Sequence, residues 1–240
     1  MAGGMSALFE ELDYRLTPMG PIALRRRTLL ALEVDVYEVM LGDEHLMSSL
    51  FTAGEIALTT LALKACEGDG LNVVVGGLGL GYTARAALDD PRVGEVIVID
   101  AMEAVIDWHR QGLLPMGYHL AAESRCRLVL GDFFALADEG FDSGEPGRRF
   151  DAVLLDIDHS PRALLNEAHA RFYTPASLSR VATQLVPGGV FAMWSDAAPD
   201  PEFEAILASA FAAVTAKVVN FANPLTGTDS SCTIYVAKAA

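Results

Sequence analysis

The chain is short of cysteine, of positive charge and of long apolar runs, and each shortage excludes a class of protein. Its three cysteines, Cys66, Cys126 and Cys232, are odd in number and widely separated in 240 residues. They make neither a disulfide framework nor metal-ligand spacing, and are expected to be buried, reduced thiols. Lys and Arg total 17 against 32 Asp and Glu, a net charge of −15. Binding a phosphate backbone needs a positive surface, so nucleic acid is not an expected partner. An acidic surface suits a cationic substrate, and it equally serves solubility. No apolar run approaches the roughly 18 residues of a membrane span. The N-terminal stretch carries Glu10, Glu11 and Asp13 with no basic-then-apolar leader, so a cytoplasmic protein is expected. A nucleophile elbow, a P-loop lysine and HExxH are all missing. Arg25-Arg26-Arg27 is the only basic run and is expected at a solvated strand end.

What is present begins with Val73-Val74-Val75-Gly76-Gly77-Leu78-Gly79-Leu80-Gly81-Tyr82. A β-branched run enters a glycine turn and then a helix-forming segment whose free N–H groups face whatever lies above the turn. A dinucleotide fingerprint starting at Gly77 would need its third glycine where Tyr82 stands. The motif is therefore GxGxG: a ligand cradle, or merely a tight turn that needs glycine.

With 52% hydrophobic residues, the chain can bury a substantial core. Residues 1–51 alternate apolar and polar and turn at Thr17-Pro18-Met19-Gly20-Pro21 and Gly42-Asp43, which predicts a small antiparallel β-hairpin unit. Residues 52–240 follow a strand–helix rhythm. Thr52-Ala53-Gly54-Glu55 matches a capping box opening a helix to about Cys66. Strands are predicted over 72–76, 94–99, 126–130, 150–155, 190–194, 214–220 and 232–237, the last two joined by a loop over 222–231. Val186-Pro187-Gly188-Gly189 should break the chain before the fifth strand, and Thr174-Pro175 should cap and open a helix. The expectation is an α/β, Rossmann-like, doubly wound and mostly parallel seven-stranded sheet, closed by a C-terminal antiparallel hairpin.

Ligands bind beyond the carboxyl ends of such strands. Four successive strands end in the glycine loop, Asp100, Asp132 and Asp156. Asp100 follows Gly77 by 23 positions, a spacing at which a second-strand carboxylate reaches ribose hydroxyls. Each such Asp can also serve simply as a helix cap. Asp156-Ile157-Asp158-His159-Ser160-Pro161 is the densest polar cluster. Strand alternation would turn Asp156 and Asp158 to one side, where two carboxylates suit an amine-bearing ligand. His159 could act as a base, and Asp158 or Ser160 could instead cap a following helix. Trp194-Ser195-Asp196 is a further rim candidate. His45, His109, His119 and His169 are scattered, and His109 shares a helix face with Met102, Val105 and Ile106, which predicts packing.

With GGLGLG, Val98-Ile99-Asp100, Val129-Leu130-Gly131-Asp132, Phe150–Asp156, Phe172-Tyr173-Thr174-Pro175 and Leu185–Gly189 in place, the chain resembles the class I S-adenosylmethionine-dependent methyltransferase superfamily. Within it, the spermidine synthase branch is most similar. The resemblance implies a nucleoside site of Gly76, Gly77, Leu78, Gly79 and Gly81, with Asp100 and Ala101 at the ribose. Gly131, Asp132 and Phe133 would surround the adenine. Asp156, which also borders the cofactor, would face the reacting centre, with Asp158 or His159 as its catalytic partner. Departures fall where donor and acceptor are read. Leu80 stands where spermidine synthases carry an Asp for the donor amine, Ala53 where they carry a Tyr, and Met47 where they carry a Gln. Their DSSDP is here Asp156-Ile157-Asp158-His159. Losing the charge pairing at position 80 would cost about 1.5–3 kcal/mol of donor selectivity.

The resemblance thus implies a transferase using S-adenosylmethionine, or its decarboxylated form, without a metal. Methyl transfer to a small acceptor, an amine among the candidates, is preferred. Aminopropyl transfer to a polyamine and non-catalytic nucleoside binding are the alternatives. The N-terminal β unit could offer an edge to a second copy, making a homodimer. No membrane partner is expected.

Overall fold

The computed structural model describes residues 8–240. Strands β1 (Phe9–Thr17), β2 (Gly20–Leu29), β3 (Val34–Leu41) and β4 (Glu44–Ser48) form an antiparallel sheet in the order β1-β2-β3-β4. Its alternation sends Ile22, Leu24, Val39 and Leu41 into the interior. The basic run is not simply solvated: Arg25, Arg26 and Arg27 pair across the strands with Glu11, Glu10 and Glu38.

The larger sheet contains β5 (Leu71–Gly76), β6 (Val93–Asp100), β7 (Cys126–Leu130), β8 (Phe150–Leu155), β9 (Leu185–Ser195), β10 (Ala213–Asn223) and β11 (Thr228–Lys238). Their order is β10-β11-β9-β8-β5-β6-β7. Strands β5 to β9 run parallel, and β11 lies antiparallel between β9 and β10. The chain winds outward from β5 through β6 and β7, then returns to β8 on the other side. The carboxyl ends of β5 and β8 therefore flank a topological switch point.

Helices α1 (Ala53–Ala65), α2 (Tyr82–Asp89), α3 (Glu103–Arg110), α4 (Gly117–Ala122), α5 (Phe133–Glu139), α6 (Pro175–Thr183) and α7 (Pro201–Ala210) cover both faces. Along β5, Val73 and Val75 face one core with Leu58 of α1 and Leu88 of α2. Val74 faces a second core built around Phe133, Phe150, Phe172 and Phe191. The first core also contains Ile22, Leu24, Val39 and Leu41, so the small sheet shares its interior with the large one.

Several expectations change. Thr174 does cap α6, accepting from Ser177 N–H ahead of Pro175. Thr52 occupies the N-cap position of α1, but its side chain makes no capping bond. The loop expected over 222–231 is mostly strand: β10 and β11 pair from Ala213↔Lys238 to Asn223↔Thr228. β9 starts at Leu185, running through the Pro-Gly-Gly that should have broken it, because the parallel register shifts between Phe150 and Ala152. No α-helix directly follows Asp156. A loop and a short 3₁₀ turn, Glu167–Arg171, lead to α6. Cys66 and Cys232 are buried free thiols, while Cys126 is only half-buried. Among the described residues, no helix is long and apolar enough to cross a membrane.

Candidate functional site

The glycine loop leaves the end of β5 at the switch point. Gly77 (φ +94°) and Gly79 (φ +46°) hold left-handed conformations that favour glycine. A Cβ at Gly77 would strike the Asp156 carbonyl, and one at Gly79 would strike the Met47 sulfur. Two neighbours, the chain after β8 and strand β4, thus close directly on this loop. Asp100 fixes it from the β6 side, where Oδ2 accepts from Leu78 N–H at 2.9 Å and Oδ1 from Met102 N–H at 2.8 Å. Burial raises the Asp100 carboxyl above its usual range, and these amide donors pull it back. His109 supports the loop from below, its Nε2–H donating to the Gly79 carbonyl at 2.8 Å. Burial pushes this imidazole's pKa down, in keeping with a packed, neutral ring.

Above the loop lies a cavity of about 530 Å³. It is walled by Gly77, Leu78 and Gly79, by Asp100 and Ala101, by Asp132 and Phe133, and by Asp156 and His159. Gly76, Gly81, Gly131 and Asp158 stand outside that wall. Gly76 is small because the Phe133 ring packs on it, and Gly81 because Leu120 and His109 do. Gly131 packs beside Leu136 and Ile99. Asp158 does not share a side with Asp156 as strand alternation implied, because β8 ends at Leu155. Its side chain is fully buried.

Asp132 combines the two roles foreseen for a strand-end carboxylate. Its Oδ1 caps α5, accepting from Phe134 N–H at 2.9 Å and Ala135 N–H at 3.3 Å, while Oδ2 takes no bond from any described residue. His159 does not meet Asp156; its Nε2–H donates to Glu44 at 2.9 Å, joining the small sheet to the loop after β8.

The strongest residue that sequence reasoning missed is Glu55. Its place in an apparent capping box concealed it, yet it lines the cavity with Asp156. Desolvation, with the nearby Asp156 charge, raises Glu55 to about 8. Desolvation raises Asp156 to about 6, opposed by the Thr83 hydroxyl, which donates to Oδ2 at 2.6 Å. Thr83 is itself held, since Thr59 Oγ1 donates to its carbonyl at 3.0 Å. Tyr82, Trp194 and His169 also line the cavity. Among the described residues there is no cluster of three or more metal-ligating side chains.

A doubly wound sheet, a glycine loop at the switch point and acidic strand ends around one cavity define a Rossmann-like α/β fold with a candidate ligand site beyond its strand ends. No family model matches the chain. Among solved structures it is similar to spermidine synthases, and its fold is spermidine synthase-like. One is a spermidine synthase in complex with the transition state analogue AdoDATO, at TM-score 0.73 and 14% identity, over 96% of this chain and 74% of that one. Another is the spermidine synthase from Thermotoga maritima, at TM-score 0.72 and 14% identity, over 96% and 73%. A third is a probable spermidine synthase from Corynebacterium glutamicum, at TM-score 0.64 and 17% identity, over 94% and 79%. At such identities, what is shared is the fold.

Proposed function

We propose that the protein is an alkyl-group transferase that moves an aminopropyl group from decarboxylated S-adenosylmethionine to an amine acceptor. The observation that carries this is the pair Glu55 and Asp156, two desolvated carboxyl groups on the wall of the cavity that holds the glycine loop. A buried acidic pair repels an anionic ligand and attracts a cationic one. The neighbours' fold also favours this over methyl transfer, which the departures at Leu80 and Ala53 made the preferred expectation from the sequence.

The cavity residues fit the donor. Gly77 and Gly79 keep side chains off the loop face, and Asp132 Oδ2 is an acceptor that no described residue uses. Once bound, the donor supplies a carbon activated by its sulfonium. The amine nitrogen forms the new C–N bond as the C–S bond breaks and the electron pair stays on sulfur. The chain contributes alignment and proton handling. Burial holds both carboxyls above their ordinary range, so this close pair binds a proton more tightly than two free carboxyls would, and the Thr83 donor favours the charge on Asp156. Thr83 occupies Asp156 Oδ2. That leaves Oδ1 to hold the acceptor ammonium and take the proton it must lose before attack.

Methyl transfer from S-adenosylmethionine is the second reading. It is favoured by Leu80, an apolar residue in the loop where spermidine synthases carry the carboxylate that pairs with the donor amine. Product analysis distinguishes the two. The protein is incubated with a mixed polyamine pool and either donor, and the products are weighed by mass spectrometry. A gain of one aminopropyl group supports the proposal; a gain of methyl supports the second reading. If calorimetry detects binding of neither donor nor methylthioadenosine, the nucleoside assignment fails altogether.

A further inference from the structure

Five carboxyl groups line the cavity, Glu55, Asp100, Asp132, Asp156 and Asp196, and none of them comes from the small sheet. That sheet and its β1–β2 turn present Met19, Ile22, Val39, Leu41, Leu46 and Met47 instead. The polar side chains it adds are His45 and Ser48. His45 Nε2 lies 3.7 Å from Glu38, whose charge Arg27 already pairs at 2.5 Å. Ser48 Oγ accepts from Leu50 N–H at 3.2 Å. Neither supplies an anion to the cavity. Among the five carboxyls, Asp100 uses both oxygens on backbone amides, and Asp132 uses one to cap α5. Asp196 stands exposed at the rim after β9. Glu55 and Asp156 remain as the desolvated pair.

Glu55 lies in the first turn of α1, just after Phe51, so the pair adjoins the small-sheet wall through the chain itself. Phe51 lines that junction and packs on Phe221 of β10, with ring centroids 6.3 Å apart. Trp194 lies against Gly54, the residue before Glu55. An amine whose ammonium meets Asp156 and Glu55 therefore extends its body over aromatic and aliphatic surface. We propose that the acceptor is a monoamine with an apolar body, held by its ammonium at Asp156 and Glu55 and by its hydrocarbon along the small-sheet wall, and that a diamine is the poorer acceptor. The inference rests on the transferase reading above and narrows its acceptor. A diamine must leave its second ammonium unpaired on that wall or bind with that nitrogen deprotonated. An alkylamine with the pKa of lysine, about 10.4, is unprotonated in only about one molecule in a thousand near neutral pH. At saturating concentration a polyamine still reacts, so the difference lies in affinity.

The test is calorimetry on the wild-type chain saturated with 5′-methylthioadenosine and titrated with pentylamine or 1,4-diaminobutane. The two amines differ by a methyl in place of one ammonium. Pentylamine should bind at least about tenfold tighter, the smallest penalty expected for a buried donor left unpaired. Equal affinity, or tighter binding of the diamine, overturns the proposal. Binding of methylthioadenosine but of neither amine overturns it too, while the nucleoside site stands. A chain that does not bind methylthioadenosine sinks the nucleoside assignment, and this acceptor with it. Met19→Glu adds a carboxylate to the wall at a half-buried turn position and should shift the preference about tenfold or more toward the diamine. An unchanged ratio in the folded variant overturns the placement of the acceptor's body on that wall.

Discussion

The Trp108 indole N–H donates to Asp13 Oδ2 at 2.6 Å, tying the first strand of the small sheet to α3 of the large unit. Trp108 has no exposed surface, so without this partner its N–H would be buried and unpaired. Arg15 reinforces the tie through Asp13 and Asp107, at 2.7 Å each. Asp13→Ala is expected to cost about 1.5–3 kcal/mol, the worth of a hydrogen bond to a charged group. Urea denaturation measures it, and a loss below about 0.5 kcal/mol would show that the two units are held together by other contacts.

Glu55 makes stability depend on pH in a definite direction. Its folded-state pKa lies above the unfolded one, so the folded chain holds this proton more tightly. The associated stability is complete below about pH 4.5 and drains away as pH rises through about 8. A shift of two pKa units alone is worth about 3 kcal/mol. Glu55→Gln should therefore flatten the decline of thermal midpoint with pH and be the more stable protein at pH 9. An unchanged slope would mean Glu55 is not desolvated.

Activity should move the opposite way at its lower limb. Asp156 must be ionised to accept the acceptor's proton, so turnover should rise through about pH 6. Asp156→Asn should lower kcat by about 10²–10⁴-fold, a typical general-base contribution, and erase that limb. An active preparation of the variant with the wild-type pH profile would remove Asp156 from proton handling.

Gly77 and Gly140 make a controlled pair. Both have positive φ, but a Cβ at Gly140 meets nothing within 4 Å, whereas at Gly77 it meets the Asp156 backbone. Gly140→Ala should cost only the left-handed strain, about 1–2 kcal/mol. Gly77→Ala should cost clearly more and displace Asp156, reducing nucleoside affinity as well as stability. Equal stability and affinity in the two variants would contradict the close approach of the loop to the chain after β8.

Leu80→Asp tests whether the loop can be converted by restoring the carboxylate of spermidine synthases. Leu80 is 2% exposed and packs in the core. A carboxylate there is buried without a partner, with an expected loss of at least about 3 kcal/mol rather than a gained amine site. A stable variant with tighter binding of the decarboxylated donor would prove the opposite.

The alternating strands and helices were legible because the inner strands carry apolar runs buried on both faces, Val73–Val75, Val96–Ile99 and Ala152–Leu155, each followed by a Gly or an Asp, whereas the edge strand β7 is only half-buried. β10 and β11 were cut short because their far ends leave the sheet. β11 pairs with β9 only from Thr233 onward, and a mostly exposed ribbon that buries only scattered residues such as Val219 and Phe221 carries little apolar signal. At the site, the glycines were visible but not which side of the loop each served. Only packing shows that Gly76 yields to Phe133 and Gly81 to Leu120. Glu55 was hidden for a different reason. The same spacing writes a helix cap and a cavity wall, and the close approach of α1 to Trp194 at Gly54 decides between them.

The antiparallel insertion of β11 governs when the molecule can be finished during synthesis. Trp194 of the cavity wall pairs in register with Ile234, Phe221 packs on Phe51, and Thr233 donates to the Ala197 carbonyl at 2.6 Å. Until β11 is in place, β9 is an open edge beside Val190 to Met193, which are wholly covered in the folded chain. The nascent chain is thus most exposed to edge-to-edge association before β11 docks, and β11 is the strand that covers the β9 edge.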